Sequence, residues 1–300
     1  MLNFRPLKKE DFPIASPRMY EAAFGTTESS FVTLYMWKDL YNCEICIDDG
    51  DVFFRSVGED FASYLFPYAD DLRSAMDKIY EAEEARGSKT VNLHSVTDEM
   101  KRRLTEVFGD EISFIERRKS FDYIYSAEAL STLSGKKLHQ KRNHVNKFEK
   151  KYEGRYTYLP LVKEDTDEVL TFQKKWAESA KLKNGAETLE YESGAIERLF
   201  ENFEEFSLLG GVLRIDGEIV AYCLANRVCR DVIDVMVEKA DYMFDGAYQM
   251  INKCFATQVR DTVKYLNRED DMGIEGLRRA KLSYYPETLI RKYNAVWKRK

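Results

Sequence analysis

Between Tyr265 and Pro286 the chain reads YLNREDDMGIEGLRRAKLSYYP, and four carboxylates and four basic groups crowd in behind a short apolar run. A strand-to-helix connection with that density of charge is where α/β enzymes tend to keep chemistry. Glu269 or Asp270 can serve as a general base once burial or a neighbouring carboxylate raises its pKa, while Arg268, Arg278 and Lys281 can hold phosphate or stabilise developing charge. A structural reading competes: Asp270, Asp271 and Glu275 fall near the first turn of a helix expected over 277–283 and would complement its dipole. Arg268 and Glu269 precede that turn.

A second cluster lies at 136–151, KKLHQKRNHVNKFEKK, with seven Lys or Arg against one acid. Val145, Phe148 and Tyr152 recur at helical spacing, which predicts a helix with one buried stripe and a basic remainder. Such a run is either a solvated linker helix or the docking face for a phosphate-rich partner. In the second case Lys141, Arg142, His144 and Lys147 are the donors. A third candidate is the turn ADYMFDGA at 240–247, where Gly246 and Ala247 open a helix whose N-terminal amides could take an anion such as the pyrophosphate of acyl-CoA. Asp241 and Asp245 would repel that anion, so an acyl-CoA site is the alternative and not the leading reading.

The elements that must position these residues repeat. Pro6-Leu7-Lys8-Lys9-Glu10-Asp11 and Pro160-Leu161-Val162-Lys163-Glu164-Asp165 agree at five of six positions. Asp49-Gly50 and Asp216-Gly217 each supply a two-residue hairpin turn, and an amphipathic helix then leads into a strand over 72–93 and again over 247–267. Concordant order argues for an internal duplication. We therefore expect a mixed α/β fold in two tandem domains, 1–134 and 154–300, joined by a basic connecting helix over 135–153. The N-terminal counterpart of the charged loop, His94 to Arg103, reads as a plain capped helix, so the site is expected in the C-terminal domain.

Composition removes several classes. A net charge of −6 argues against non-specific nucleic-acid binding by the whole surface and leaves room for the local basic patch. The five cysteines, at 43, 46, 223, 229 and 254, are odd in number and fit a reducing cytoplasm without disulfides. Cys43 and Cys46 form a CxxC, but in a strand they face opposite ways and read as packing residues. The carboxylates of 269–275 do not match a calcium loop and have no histidine near them, so no metal is expected. His94 reads as a structural histidine. No apolar run approaches the roughly 18 residues of a membrane span, which leaves peripheral contact as the only expected form of membrane association.

Three segments together carry a family resemblance: KLHQKRNHVNKF at 137–148, GGVLRIDG at 210–217 and NREDDMGIEGLRRAKLSY at 267–284. They resemble a bacterial family of proteins similar to the C-terminal catalytic domain of phosphatidylglycerol lysyltransferases, over nearly the whole chain. The resemblance implies a tandem GNAT-like fold, related also to the Fem peptidyltransferases. It implies transfer of an aminoacyl group from aminoacyl-tRNA to a hydroxyl or amine acceptor, such as a lipid headgroup or a peptide, with no cofactor required. The loop residues read above for that chemistry are Arg268, Glu269, Asp270 and Lys281. A non-catalytic binding module on the same scaffold is the remaining alternative.

Overall fold

Asp49 and Gly50 adopt φ of 51° and 85°, and Asp216 and Gly217 adopt 52° and 89°. Two consecutive positive φ values define the type I′ turn that matches the twist of a tight hairpin, and an Asp-Gly pair is among the few that reach it without strain. The two hairpins, Cys43–Asp48 with Asp51–Val57 and Leu209–Ile215 with Glu218–Cys229, start equivalent sheets. The computed structural model describes residues 1–58, 61–184 and 187–299.

The duplicated hexapeptides fold alike. In each, a short strand gives way to a single 3₁₀ turn, Lys9–Asp11 or Lys163–Asp165, and a helix follows, Phe12–Ala22 or Thr166–Asn184. The carboxylate that ends the motif turns back on its own chain in both copies: Asp11 accepts from the Lys8 N–H at 2.9 Å and Asp165 from the Val162 N–H at 3.1 Å. That reciprocal cap explains why KED was kept in both halves.

Two seven-stranded mixed sheets result. The first runs, in spatial order, Arg5–Pro6, Cys43–Asp48, Asp51–Val57, Ala62–Tyr64, Val91–Thr97, Lys292–Trp297, Ile112–Glu116. The second runs Tyr156–Pro160, Leu209–Ile215, Glu218–Cys229, Val232–Ala240, Tyr265–Asn267, Asp122–Ser126, Thr288–Ile290. Position by position the orders correspond, and in each sheet the fourth and fifth strands form the parallel pair. The sixth strand of each sheet comes from the other half of the sequence. The compact units are accordingly discontinuous: 1–122 with 270–274 and 289–300, and 123–269 with 275–288. The expected division at 134 and 154 thus gives way to an exchange of strands, and the basic helix, His139–Lys151, belongs to the second unit instead of lying between domains.

Within the first unit, Trp297, Phe108, Leu104, Val91 and Ile79 anchor a core between the sheet and the helices Leu72–Ala85 and Asp98–Phe108. Thr97 caps the latter, its hydroxyl accepting from the Met100 N–H at 3.3 Å. Cys43 and Cys46 are buried free thiols. His94 is partly buried, with Nδ1 3.0 Å from Ser63 Oγ. Burial first, and then the Lys292 ammonium, hold its pKa down at about 4. A histidine that is harder to protonate folded than unfolded contributes stability above pH ~6.5, and that stability is lost as the pH falls from there through the folded value. Partial exposure lets solvent screen part of the effect. In His94→Gln we expect the drop in unfolding free energy between pH 7 and pH 4.5 to shrink by about 1–2 kcal/mol relative to the parent, as read by urea unfolding at the two pH values.

Candidate active site

The site grows out of a short parallel pairing in the second unit. Val232, Ile233 and Asp234 pair with Tyr265, Leu266 and Asn267, and the ladder stops there while the Val232–Ala240 strand runs on. The helix Ala247–Val259 makes the crossover between the two strands. Parallel sheets collect ligands outside the carboxyl ends of their strands, where side chains from both strands and the crossover helix converge. Here Glu238 and Arg268 meet at that place.

Arg268 Nη2 lies 2.8 Å from Glu238 Oε1, and the two side chains are only 14% and 12% exposed. Glu238 Oε2 accepts from Asn252 Nδ2 of the crossover helix at 3.1 Å. The guanidinium also sits 4.9 Å from the ring centroid of Tyr284 and 5.6 Å from that of Tyr125. Burial works against the arginine charge, and Glu238 with the two tyrosines outweighs it, so the group stays ionised above its usual range. Among the described residues, Arg268 Nη1 and Asn252 Oδ1 are buried without a hydrogen-bond partner. A buried donor on a cation with nothing to donate to costs about 1–3 kcal/mol, which a ligand oxygen would relieve.

The basic helix contributes one more cation. The Lys141 ammonium lies 4.2 Å from the Tyr284 ring centroid. Burial, and then the Arg268 cation, hold Lys141 below the ordinary lysine range. From the helix Glu275–Leu282, Lys281 Nζ donates to the Arg268 carbonyl at 2.5 Å, and the Tyr125 hydroxyl donates to the Lys281 carbonyl at 2.8 Å. Lys281 therefore fixes the backbone from which Arg268 projects. Burial pushes the phenols of Tyr125 and Tyr284 up, so both remain neutral donors at physiological pH.

The remaining sequence candidates fall elsewhere. Glu269 adopts φ of 56°, donates its N–H to Asn267 Oδ1 at 2.8 Å and gives its carbonyl to the Tyr123 N–H at 3.2 Å, so its backbone shapes the turn while its side chain is partly buried. Asp270 belongs to the first unit, where burial raises its carboxyl above the usual range against the pull of Lys292. The two alternative bases, Glu269 and Asp270, thus belong to different units. Asp271 corrects the helix-cap reading: it is fully buried, bonded to Arg118 at 3.1 Å and accepting from the Gly273 N–H at 2.9 Å. Glu275 does open the last helix, in an exposed pair with Arg279 at 3.7 Å. Arg278 is partly buried on that helix.

Along the basic helix, Arg142 also departs from expectation. Its Nη1 donates to the carbonyls of Leu133 and Gly135, at 2.5 and 3.2 Å, which staples the preceding loop with that nitrogen. His144 and Lys147 are exposed. At the expected anion turn, Gly246 has φ of 87°, and a Cβ there would lie 2.9 Å from the His144 carbonyl oxygen and 3.1 Å from Phe148 Cβ. Gly246 is a glycine because the basic helix packs its backbone against the turn. Ala247 is buried beneath it, and Asp241 organises the loop by accepting from the Met243 N–H at 2.9 Å.

Sequence reasoning missed Glu238, Asn252, Tyr125 and Tyr284. A signal existed for two of them: Glu238 interrupts a β-branched run, and Asn252 lies on the helix face otherwise made of Met250, Ile251 and Phe255. A polar residue on a buried face demands a partner, and each is the other's.

Among the described residues no helix is long and apolar enough to cross a membrane, and no group of three His, Cys, Asp or Glu is arranged to hold a metal ion. Residues 22–296 match the family described as phosphatidylglycerol lysyltransferase, C-terminal. A crystal structure of a conserved protein of unknown function from Bacteroides thetaiotaomicron is 32% identical and superposes with a TM-score of 0.92, over 99% of this chain and 100% of that one. The structure of L-PGS from Bacillus licheniformis is 16% identical, with a TM-score of 0.67 over 98% of this chain and 93% of that one, a likeness of fold. An uncharacterised protein of Mycoplasmoides gallisepticum is 28% identical over 181 residues, 60% of this chain, and the match spans 57% of that relative's length. The two mixed sheets are a tandem pair with the fold of the L-PGS structure, and the chain belongs to the phosphatidylglycerol lysyltransferase C-terminal family.

Proposed function

We propose that this protein is an aminoacyltransferase that moves an aminoacyl group from aminoacyl-tRNA to a hydroxyl or amine, such as that of a lipid headgroup or a peptide, at the Arg268 site. The observation that carries this reading is the buried Arg268 guanidinium, held by Glu238 on one side and left with an unengaged Nη1 on the other. In the proposed reaction the acceptor attacks the ester carbonyl, a tetrahedral oxyanion forms, and the ribose hydroxyl of the tRNA leaves. Arg268 Nη1 stabilises the oxyanion. Lys141, whose ammonium is easier to deprotonate than an ordinary one, takes the acceptor's proton as the neutral amine and, as the ammonium so formed, returns it to the leaving ribose oxygen. Glu238 is engaged by Arg268 and Asn252 and acts by positioning. The ester is already activated, so the reaction needs no cofactor, and the donor implies a cytoplasmic location.

Lys136, Lys137, His144, Lys147, Lys150 and Lys151 stand exposed on and before the basic helix, a stripe suited to the tRNA backbone. The test is transfer of label from bulk tRNA charged with radioactive amino acids, offered phosphatidylglycerol vesicles or a short amine-bearing peptide. Label should move to one acceptor, and Lys141→Ala should slow it about 10²-fold or more. Filter binding of the same tRNA should weaken with salt, with a shallower slope in a Lys147, Lys150 and Lys151 triple alanine variant. Absence of both transfer and salt-dependent tRNA binding would overturn the proposal. Transfer from acyl-CoA instead would assign the site to the other acyl donor.

A further inference from the structure

The first unit carries a cleft of about 250 Å³ that the transferase reading does not use. It occupies, within its own unit, the topological place that the Arg268 site occupies in the other. Its walls come from the chain leaving the Ala62–Tyr64 strand, residues 66–70, and from the helix Asp98–Phe108 that leaves the Val91–Thr97 strand, so it lies at the carboxyl ends of the parallel pair. The helix Phe12–Ala22 closes the third side.

The floor is aromatic. Phe24 meets Phe66 edge to face at 5.5 Å and lies 6.2 Å from Tyr68, and Phe66 and Tyr68 are 3% and 5% exposed. Four charged groups line it, and their states of pairing differ. Arg18 is engaged three ways, with Asp70 at 3.0 Å, the Gly50 carbonyl at 3.2 Å and Asp51 at 3.8 Å. Arg103 has its guanidinium 4.9 Å from the Phe66 ring centroid and, among the described residues, no hydrogen bond or ion pair. Its neighbour Arg102 binds both Glu99 and Glu106, so Arg103 meets Glu99 only as a charge at longer range. Glu21, exposed at the mouth, likewise has no hydrogen-bonded or ion-paired partner among the described residues.

One unengaged cation, one unengaged anion and an aromatic floor in a small cleft select for a ligand with matching parts. We propose that this cleft binds a small zwitterion with an apolar body, of the class of an aromatic or branched α-amino acid. Its carboxylate would pair with Arg103, its ammonium with Glu21, and its side chain would lie on Phe24, Phe66 and Tyr68. The volume falls just short of the ~300–1,000 Å³ of drug-sized pockets, which suits a single ring on a short backbone. A lone anion would meet Glu21 and a lone cation would meet Arg103, so each is disfavoured.

Calorimetric titration of the full chain with four probes tests this: L-phenylalanine, phenylacetate, phenethylamine and glycine. L-phenylalanine should bind at least about tenfold more tightly than each of the others, which lack the ammonium, the carboxylate or the body. Arg103→Gln and Glu21→Gln should each weaken it at least about tenfold, while Arg102→Gln, on the same helix with its side chain facing solvent, should leave it unchanged. Unchanged circular dichroism and melting temperature would show that the variants remain folded. No L-phenylalanine binding up to about 20 mM would overturn the proposal. So would equal binding of any single-charge analogue, or equal loss in Arg102→Gln.

Discussion

Arg268→Lys is expected to lower kcat/KM for aminoacyl transfer by about 10²–10³-fold, chiefly in kcat, while the protein stays folded. Lysine keeps the positive charge that Glu238 needs, so the buried carboxylate is not orphaned. It cannot keep the geometry. The guanidinium engages Glu238 through Nη2 at 2.8 Å and directs Nη1 elsewhere, whereas an ammonium drawn to Glu238 has no second nitrogen to offer the oxyanion. Arg268→Gln should behave differently. It leaves Glu238, 12% exposed, without its counter-ion and should cost stability as well as activity. It also removes one of the two causes that hold the Lys141 pKa down, so the ascending limb of the pH–rate profile, where the base loses its proton, should move to higher pH. Single-turnover transfer assays across pH, with urea unfolding alongside, read all three effects. Equal rates for Arg268→Lys and the parent would remove Arg268 from the chemistry, and an unmoved pH profile in Arg268→Gln would remove Lys141 as the base.

The parts of this molecule that were legible in its sequence are those decided by local physics. Asp49-Gly50 and Asp216-Gly217 announced their turns because few other pairs tolerate two positive φ values in succession. The repeated KED announced a capped start because its aspartate closes on a backbone amide three residues back. The stripe of Val145 and Phe148 announced a helix with one buried face, and both side chains are buried. Cys43 and Cys46 lie in the strand where alternation placed them.

What was not legible is what distant segments decide. Asp122–Ser126 and Lys292–Trp297 have the aromatic and β-branched composition of ordinary strands, and nothing local says which sheet each will join. Their exchange moves the division of the chain away from the composition shift near 135. The same ignorance of distant partners misread the charged loop. A stretch of adjacent carboxylates looks like one cluster, yet Asp271 is drawn to Arg118, and Asp270 and Glu269 belong to different units. Arg268 and Lys281 were singled out because cations at a strand end have few structural uses. Glu238 and Asn252 went unnoticed because their partnership spans a crossover and is visible only once strand and helix are packed.

The exchanged strand also carries the most exposed weakness of the first unit, in the sense of stability. Lys292, at the start of Lys292–Trp297, is 1% exposed, with Nζ 2.6 Å from Asp122 Oδ1 and 2.5 Å from Glu28 Oε2. Asp122 is itself fully buried and accepts from the Thr27 N–H at 3.0 Å, and Glu28 accepts from the Ser95 hydroxyl at 2.8 Å. Burial opposes the ammonium, and the two carboxylates outweigh it, so Lys292 stays charged above the ordinary lysine range. Lys292→Met should therefore lower the unfolding free energy by about 3–5 kcal/mol, because the methionine fills the volume but strands two carboxylates against each other. Adding Asp122→Asn and Glu28→Gln should restore much of that, since the amides still accept from Thr27 and Ser95 and no charge is left unbalanced. Urea unfolding of the single and triple variants separates the two contributions. A triple variant no more stable than Lys292→Met would mean that packing at the exchanged strand, and not the ion triad, holds it in the sheet.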